Sequence, residues 1–265
     1  MKTVSMILLL LLSLPQTNLC PKTLKKVADI PPPAGYSRQE LPRDSFGAFL
    51  RNFPISTSET VHIFNGKPKA RQDVHFAILD IDTGKRDLQQ CADAVIRMRS
   101  EYLYSLDKIS EIGFHFVSGD FYPYSNYLKG KLPSVKGNRV VWKKSNPRSD
   151  TKKGFRSYLD IVFTYAGTAS LIHELKSIPI HKINAGDVWI QSRRPYGHAV
   201  LVMDIAVNSK GEKVFLLAQS YMPAQDMHIL KNHEDTNLSP WYRLPESKLS
   251  TPEWDFEKED LKRFP

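Results

Sequence analysis

The sequence predicts an α+β fold, with a helix carrying Cys91 packed on an antiparallel sheet that contains a hairpin beginning at His198. Three observations lead there. Two stretches, 87–106 and 155–178, repeat apolar side chains at the spacing of a helix with one buried stripe. Residues 199–207 form an apolar run rich in β-branched side chains, Asn208-Ser209-Lys210-Gly211 supplies a turn, and 214–218 returns as a second apolar strand. The 265 residues are 41% hydrophobic and 25% charged, without repeats, which suffices for one large domain with its own core.

In chain order, Met1-Lys2 precede Met6-Ile7, five leucines (Leu8 to Leu12) and Ser13-Leu14-Pro15. A positive start and a short apolar core fit a secretory signal and fall short of a membrane span. Residues 1–20 are therefore expected to be a signal peptide and the chain to be exported, to the periplasm or the outer membrane. Cys20 stands where a lipoprotein cysteine would stand, although Leu19 is bulky where that signal usually has a small residue. A lipid anchor at Cys20 and plain cleavage stay as alternatives. No other stretch is long enough to cross a bilayer. Residues 21–35 read as a linker with Pro31-Pro32-Pro33 near its end, and a single domain is expected over 36–265.

Within that domain, 45–53 has helical apolar spacing, with Ser45 or Asp44 as cap and Pro54 as stop. Short strands are expected at 61–64, 74–81 and 114–117. Asp87 is the expected N-cap of the helix whose stripe is Leu88, Cys91, Val95, Met98, Tyr102 and Leu106. Residues 119–150 read as loop, with Tyr122, Tyr124, Tyr127 and Trp142 either lining a binding cleft or covering a core. The helix over 155–178 is ended by Pro179. A turn at Asn184-Ala185-Gly186-Asp187 leads into a strand at 188–190, 228–230 adds another strand, and 240–265 wraps the surface.

The formal charge of +9 is spread along the chain. A groove for nucleic acid would cluster its cations and interleave aromatics, so no nucleic-acid partner is expected, whereas an anionic envelope surface fits. His173-Glu174 lacks the second histidine of a zinc helix, and neither a phosphate loop nor a GxSxG elbow occurs. Asp80 and Asp82 read as loop capping rather than a cation site. No metal and no cofactor is expected.

Two cysteines occur, Cys20 and Cys91; once Cys20 is removed or lipidated, Cys91 is the one free thiol of an exported chain. A cysteine nucleophile needs a helped thiolate, a base and a group that orients the base. The first turn of a helix favours the thiolate through its free N–H groups, which can also hold an oxyanion. His198, at a strand mouth, is the expected general base. Gln219 on the return strand is the expected orienter, with Ser220 as rival, because a one-residue change of register swaps which of them faces His198. Asp204 is a weaker choice. Packing remains the bland reading of Cys91, which shares its stripe with Val95 and Met98.

A cysteine at a helix start, then GDVWI, then GHAVLVMD, then a polar residue on the return strand resembles the papain-like cell-wall amidohydrolases of the NlpC and CHAP type. That resemblance implies a papain-like core with Cys91 as nucleophile, His198 as base and Gln219 as orienter. The longer spacing from Cys91 to His198 and the glutamine depart from the pattern. Across nearly the whole chain after residue 30, PPPAGYSR, SFGAFLRNFP, LDIDTGKRDLQQCADAVIRMRSEYLY, FRSYLDIVFTYAGTASLIHEL and FLLAQSYMPAQDMHIL resemble an exported bacterial family labelled domain of unknown function (4846). This likeness implies export and a single-domain α+β architecture and leaves the chemistry to the residues. The expectation is a cysteine hydrolase acting on envelope amides, such as peptidoglycan peptides. Its alternative is a non-catalytic envelope module that grips a glycan or peptide with Tyr122, Tyr124 and Tyr127.

Overall fold

A computed structural model describes residues 24–137 and 139–265; the expected signal peptide and Cys20 lie outside them. The first half of the chain runs β1 (Tyr36–Arg38), α1 (Phe46–Arg51), β2 (His75–Ile78), α2 (Cys91–Ser105), β3 (Gly113–His115), β4 (Phe121–Pro123), α3 (Tyr124–Leu128), β5 (Lys131–Lys136) and β6 (Arg139–Lys144). There follow α4 (Lys152–Tyr165), α5 (Thr168–Glu174), β7 (Lys176–Ser177), β8 (Val188–Gln191), β9 (His198–Asn208), β10 (Lys213–Gln219) and β11 (His228–Leu230). The tail adds β12 (Trp241–Arg243), β13 (Lys248–Ser250), β14 (Asp255–Glu257) and β15 (Leu261–Arg263). Helices and antiparallel sheets together make the fold α+β.

The central sheet has nine strands, in the order β2-β11-β10-β9-β8-β15-β7, with β1 paired to the far end of β9 and β12 to that of β10. Every pairing in it is antiparallel. Both faces are covered, which is why β9 is an apolar run and not an alternation of apolar and polar side chains. On one face Ala199, Leu201 and Met203 pack with Ala92, Val95 and Ile96 of α2. On the other, Val200, Val202 and Leu217 pack with Trp189, Leu249 and Phe256, so the tail forms the second layer.

The pairing of β9 with β10 is not uniform. Leu216 faces Asp204, but Leu217 faces Val202, so Met203 is an extra residue on β9. This bulge reverses which side chains of β10 share a face with those of β9 on its His198 side.

Helix α1 follows the sequence reading, with the Ser45 side chain accepting from the Ala48 N–H at 3.2 Å. Helix α2 does not start where expected. Asp87 is not its cap, because its Oδ1 accepts from Ala224 N–H at 2.7 Å and Gln90 Nε2–H at 2.9 Å, tying the preceding loop to the 221–225 turn. The helix begins at Cys91, with Gln90 as N-cap and Asp93 Oδ2 accepting the Gln90 N–H at 3.2 Å.

The single helix expected over 155–178 is two. Ala166 leaves helical geometry and Gly167 caps α5, its N–H bonded to Ser170 Oγ at 3.1 Å. The segment read as a linker is docked: Val27 N–H donates to Phe53 O at 3.0 Å, and Val27 and Ile30 are fully buried. The stretch 61–64 makes isolated bridges only, His62 to Pro68 and Ile63 to Gln225. No helix among the described residues is long and apolar enough to cross a membrane.

The largest correction concerns 119–150, where the chain is not all loop but forms β4, paired with β3, then α3 and the β5–β6 hairpin. Tyr122, Tyr124 and Tyr127, expected to bind substrate, are 0%, 0% and 3% exposed. Their rings pack around Tyr158, the Tyr124 centroid lying 5.0 Å from it. Tyr122 O–H donates to Lys131 O and Tyr124 O–H to Asp150 Oδ1, both at 2.8 Å. The aromatic rings are spent on the core, and the turn residues between them close hairpins.

Candidate functional site

Cys91 is the first residue of α2 and is buried against β9. Burial and, next, the Asp93 carboxylate push its thiol up to about 12; the amide N–H groups of Ala199, Ala92 and Cys91 itself pull the other way. Asp93 is buried, which pushes its own carboxyl well above the usual range, and its Oδ1 has no hydrogen-bond partner among the described residues. The helix start thus holds a protonated thiol beside the backbone donors that an oxyanion needs.

His198 opens β9 one residue before the Ala199 amide that the thiol approaches. Its Nε2 is hydrogen-bonded to Gln219 Oε1 at 2.8 Å. The Met203 bulge is what allows this. With an unbroken register Ser220 would share the His198 face; with the bulge Gln219 does, and Ser220 turns to the helix side. There the Ser220 hydroxyl meets Gln89 O at 3.0 Å and Gln225 O at 2.8 Å. Ser220 is therefore a structural link. Asp204 is also excluded as an orienter, because both its oxygens are taken by Arg38 and Arg51.

The imidazole lies among aromatic rings, with Tyr221 at 4.9 Å, Trp254 at 5.4 Å and Phe256 at 5.9 Å between centroids. Burial lowers its pKa to about 4, against the Gln219 bond, and the Lys69 charge adds to the lowering. At rest the site holds a neutral thiol and a neutral imidazole, and no hydrogen bond joins the two. Cys91 and His198 meet the same strand end, the thiol from the helix side and the ring toward the tail side.

Motif reading missed Tyr221, Trp254, Glu253 and Lys69. Gln219 Nε2–H donates to Glu253 Oε2 at 2.7 Å, and Lys69 Nζ meets the same oxygen at 2.6 Å. Trp254 Nε1–H donates to Gln191 Oε1 at 3.0 Å, fixing its ring beside His198. These residues come from distant loops with no local pattern, so only the fold could bring them together.

A cleft of about 400 Å³ opens at the helix start, with Cys91, Asp93, Thr168, Gly197, Tyr196 and Met222 in its walls. Tyr196 and Met222 form an apolar lip, 62% and 37% exposed. Gly197 is required by close approach: a Cβ there would lie 2.4 Å from both Gln191 O and Thr168 Oγ1. Gly197→Ala should therefore shift the turn into β9 and cost about 1–3 kcal/mol, read from urea unfolding midpoints. An unchanged midpoint would mean that the turn adapts freely. Asp82, read as loop capping, pairs with Arg156 at 2.9 Å and Arg97 at 3.2 Å. Among the described residues, no group of three or more His, Cys, Asp or Glu could hold a metal ion.

A family model described as domain of unknown function (4846) matches residues 27–263, and the chain belongs to that family. No curated protein matches it, and no solved structure does.

Proposed function

We propose that this member of the domain of unknown function (4846) family is a papain-like cysteine hydrolase that cleaves amide bonds of the cell envelope, in peptides of the peptidoglycan class. The observation that carries the reading is the 2.8 Å bond from His198 Nε2 to Gln219 Oε1. It occupies one imidazole nitrogen and leaves Nδ1 as the basic one, on the residue next to the amide that the Cys91 thiol approaches. Export of the chain, on the strength of residues 1–20, would place the enzyme at that substrate.

In the reaction, Nδ1 takes the Sγ proton as sulfur bonds to the carbonyl carbon. The oxyanion faces the N–H groups of Cys91 and Ala92 at the start of α2. Its collapse breaks the C–N bond, and the leaving amine takes the proton from Nδ1. Water, deprotonated by the same nitrogen, then cleaves the thioester. Because both groups rest neutral, His198 works as a general base on the thiol and not within a preformed ion pair. At rest the thiol lies on the helix side of β9 and the imidazole on the tail side, against Phe256, so the proton transfer requires substrate binding to bring Sγ and Nδ1 together.

A thiol-directed amide probe should label Cys91 about a hundredfold faster in the wild type than in His198→Ala. Equal rates, or a wild type that takes no probe, would sink the reading. The non-catalytic alternative has lost its grip residues, since Tyr122, Tyr124 and Tyr127 are buried.

A further inference from the structure

A carboxamide has a donor end and an acceptor end of nearly the same shape, so Gln219 alone does not fix which nitrogen of His198 carries the proton. If the amide turned over, its NH2 would face Nε2, the imidazole proton would move to Nδ1, and the lone pair would sit on Nε2, tied up by Gln219. Something must hold the amide one way round. The tail supplies it.

Glu253 is a carboxylate and can only accept. Its Oε2 lies 2.7 Å from Gln219 Nε2 and 2.6 Å from Lys69 Nζ, with the Glu253 and Lys69 side chains 9% and 8% exposed. Facing that oxygen, Gln219 must present its NH2, which leaves its Oε1 to His198. Oε1 accepts only, so Nε2 must carry the imidazole proton. The 221–225 turn and the 251–254 turn close over this chain, with the Tyr221 ring against His198 and the Lys69 ammonium 5.8 Å from the Tyr221 centroid. Water has little room to compete for these bonds.

We infer that Glu253, ion-paired with Lys69, is a positioning residue that fixes the Nε2–H tautomer of His198 through Gln219. The tautomer stands on the geometry alone; its use in catalysis rests on the hydrolase reading above. In that setting Glu253 selects which nitrogen can accept the thiol proton without touching substrate itself.

The test is the two-bond ¹⁵N–¹H spectrum of the full chain labelled at histidine, with the His198 signals assigned by their loss in His198→Ala. The wild type should show one tautomer, protonated at Nε2. In Glu253→Gln the new amide can donate or accept, so Gln219 is released and the Nδ1–H form should appear. In the probe reaction the maximal labelling rate should fall at least about tenfold while the half-saturating probe concentration stays unchanged. The double variant Lys69→Met/Glu253→Gln, which leaves no unpaired charge, should give the same mixture and serves if the single variant does not fold. A single Nε2–H form persisting in the folded variants would overturn the inference and leave the hydrolase proposal untouched, whereas a wild type protonated at Nδ1 would overturn both. The expected tautomer mixture in a protein whose Cys91 takes no probe would support the lock and sink the hydrolase.

Discussion

Asp204→Ala is expected to cost about 3–5 kcal/mol of folding stability, the range for removing one partner from a buried ion pair. The carboxylate is fully buried in the middle of β9 and faces two guanidinium groups, Arg38 at 2.7 Å and Arg51 at 2.6 Å. Each arginine also donates to a backbone carbonyl, Arg38 to Ile30 O at 2.5 Å and Arg51 to Gln39 O at 2.8 Å. One side chain thus joins the N-terminal segment, β1 and α1 to the spine of the sheet. Alanine would leave two half-buried cations without an anion and would remove the acceptor for the Ile205 N–H, now bonded at 2.8 Å. Replacing Arg38 by methionine removes one contact and keeps the other, so it should cost less. Urea unfolding monitored by circular dichroism would measure both. A loss below about 1 kcal/mol for Asp204→Ala would mean that the pair behaves like a solvated surface bridge.

That role for Asp204 was hidden in the sequence, where it read only as a weak candidate orienter within an apolar strand. Its partners lie more than 150 residues away along the chain. What the sequence did disclose is local. Periodicity located α1, α2, the β9–β10 hairpin and the strand His228–Leu230, because each buries side chains in its own element's rhythm. It placed Cys91 in the first turn of a helix and His198 at a strand mouth. It narrowed the neighbour of His198 to Gln219 or Ser220 and could go no further, because the choice depends on one bulged residue, Met203, whose side chain is as apolar as its neighbours. The loop tyrosines were misjudged for a related reason. Glycine, proline and serine between aromatics mark turns, but they do not say whether the turns stand free or close hairpins over a core. Glu253 and Trp254 belong to a tail without periodicity; they stand in the turn between β13 and β14, whose Leu249 and Phe256 pack on the central sheet.

The same burial that positions the site makes it sensitive to acid. His198 and His228 have their pKa lowered from 6.5 to about 4 and about 3, chiefly by burial. Charge from Lys69 opposes protonation of both. His228 Nδ1 meets Asp226 O at 2.8 Å, while Nε2 is buried without a partner among the described residues, which offer the ring no acceptor for a second proton. Unfolded, both rings protonate near 6.5, above their folded values. As pH falls below about 6.5 the unfolded chain therefore binds more protons, and stability drops until each folded value is passed. For His228 the loss between pH 7 and pH 4.5 is about 3 kcal/mol, at roughly 1.4 kcal/mol per unit of pH below 6.5. Asp93 and Asp187, whose carboxyls burial pushes up, act in the opposite direction and mask part of this in the total. The histidine share is read as a difference: over that interval the wild type should lose about 3 kcal/mol more than His228→Leu, measured by urea unfolding at each pH. Parallel curves would show that the folded chain accepts the proton on His228 without penalty. The same measurement on His198→Ala would test whether this ring also resists protonation, as a base kept neutral for the thiol proton must.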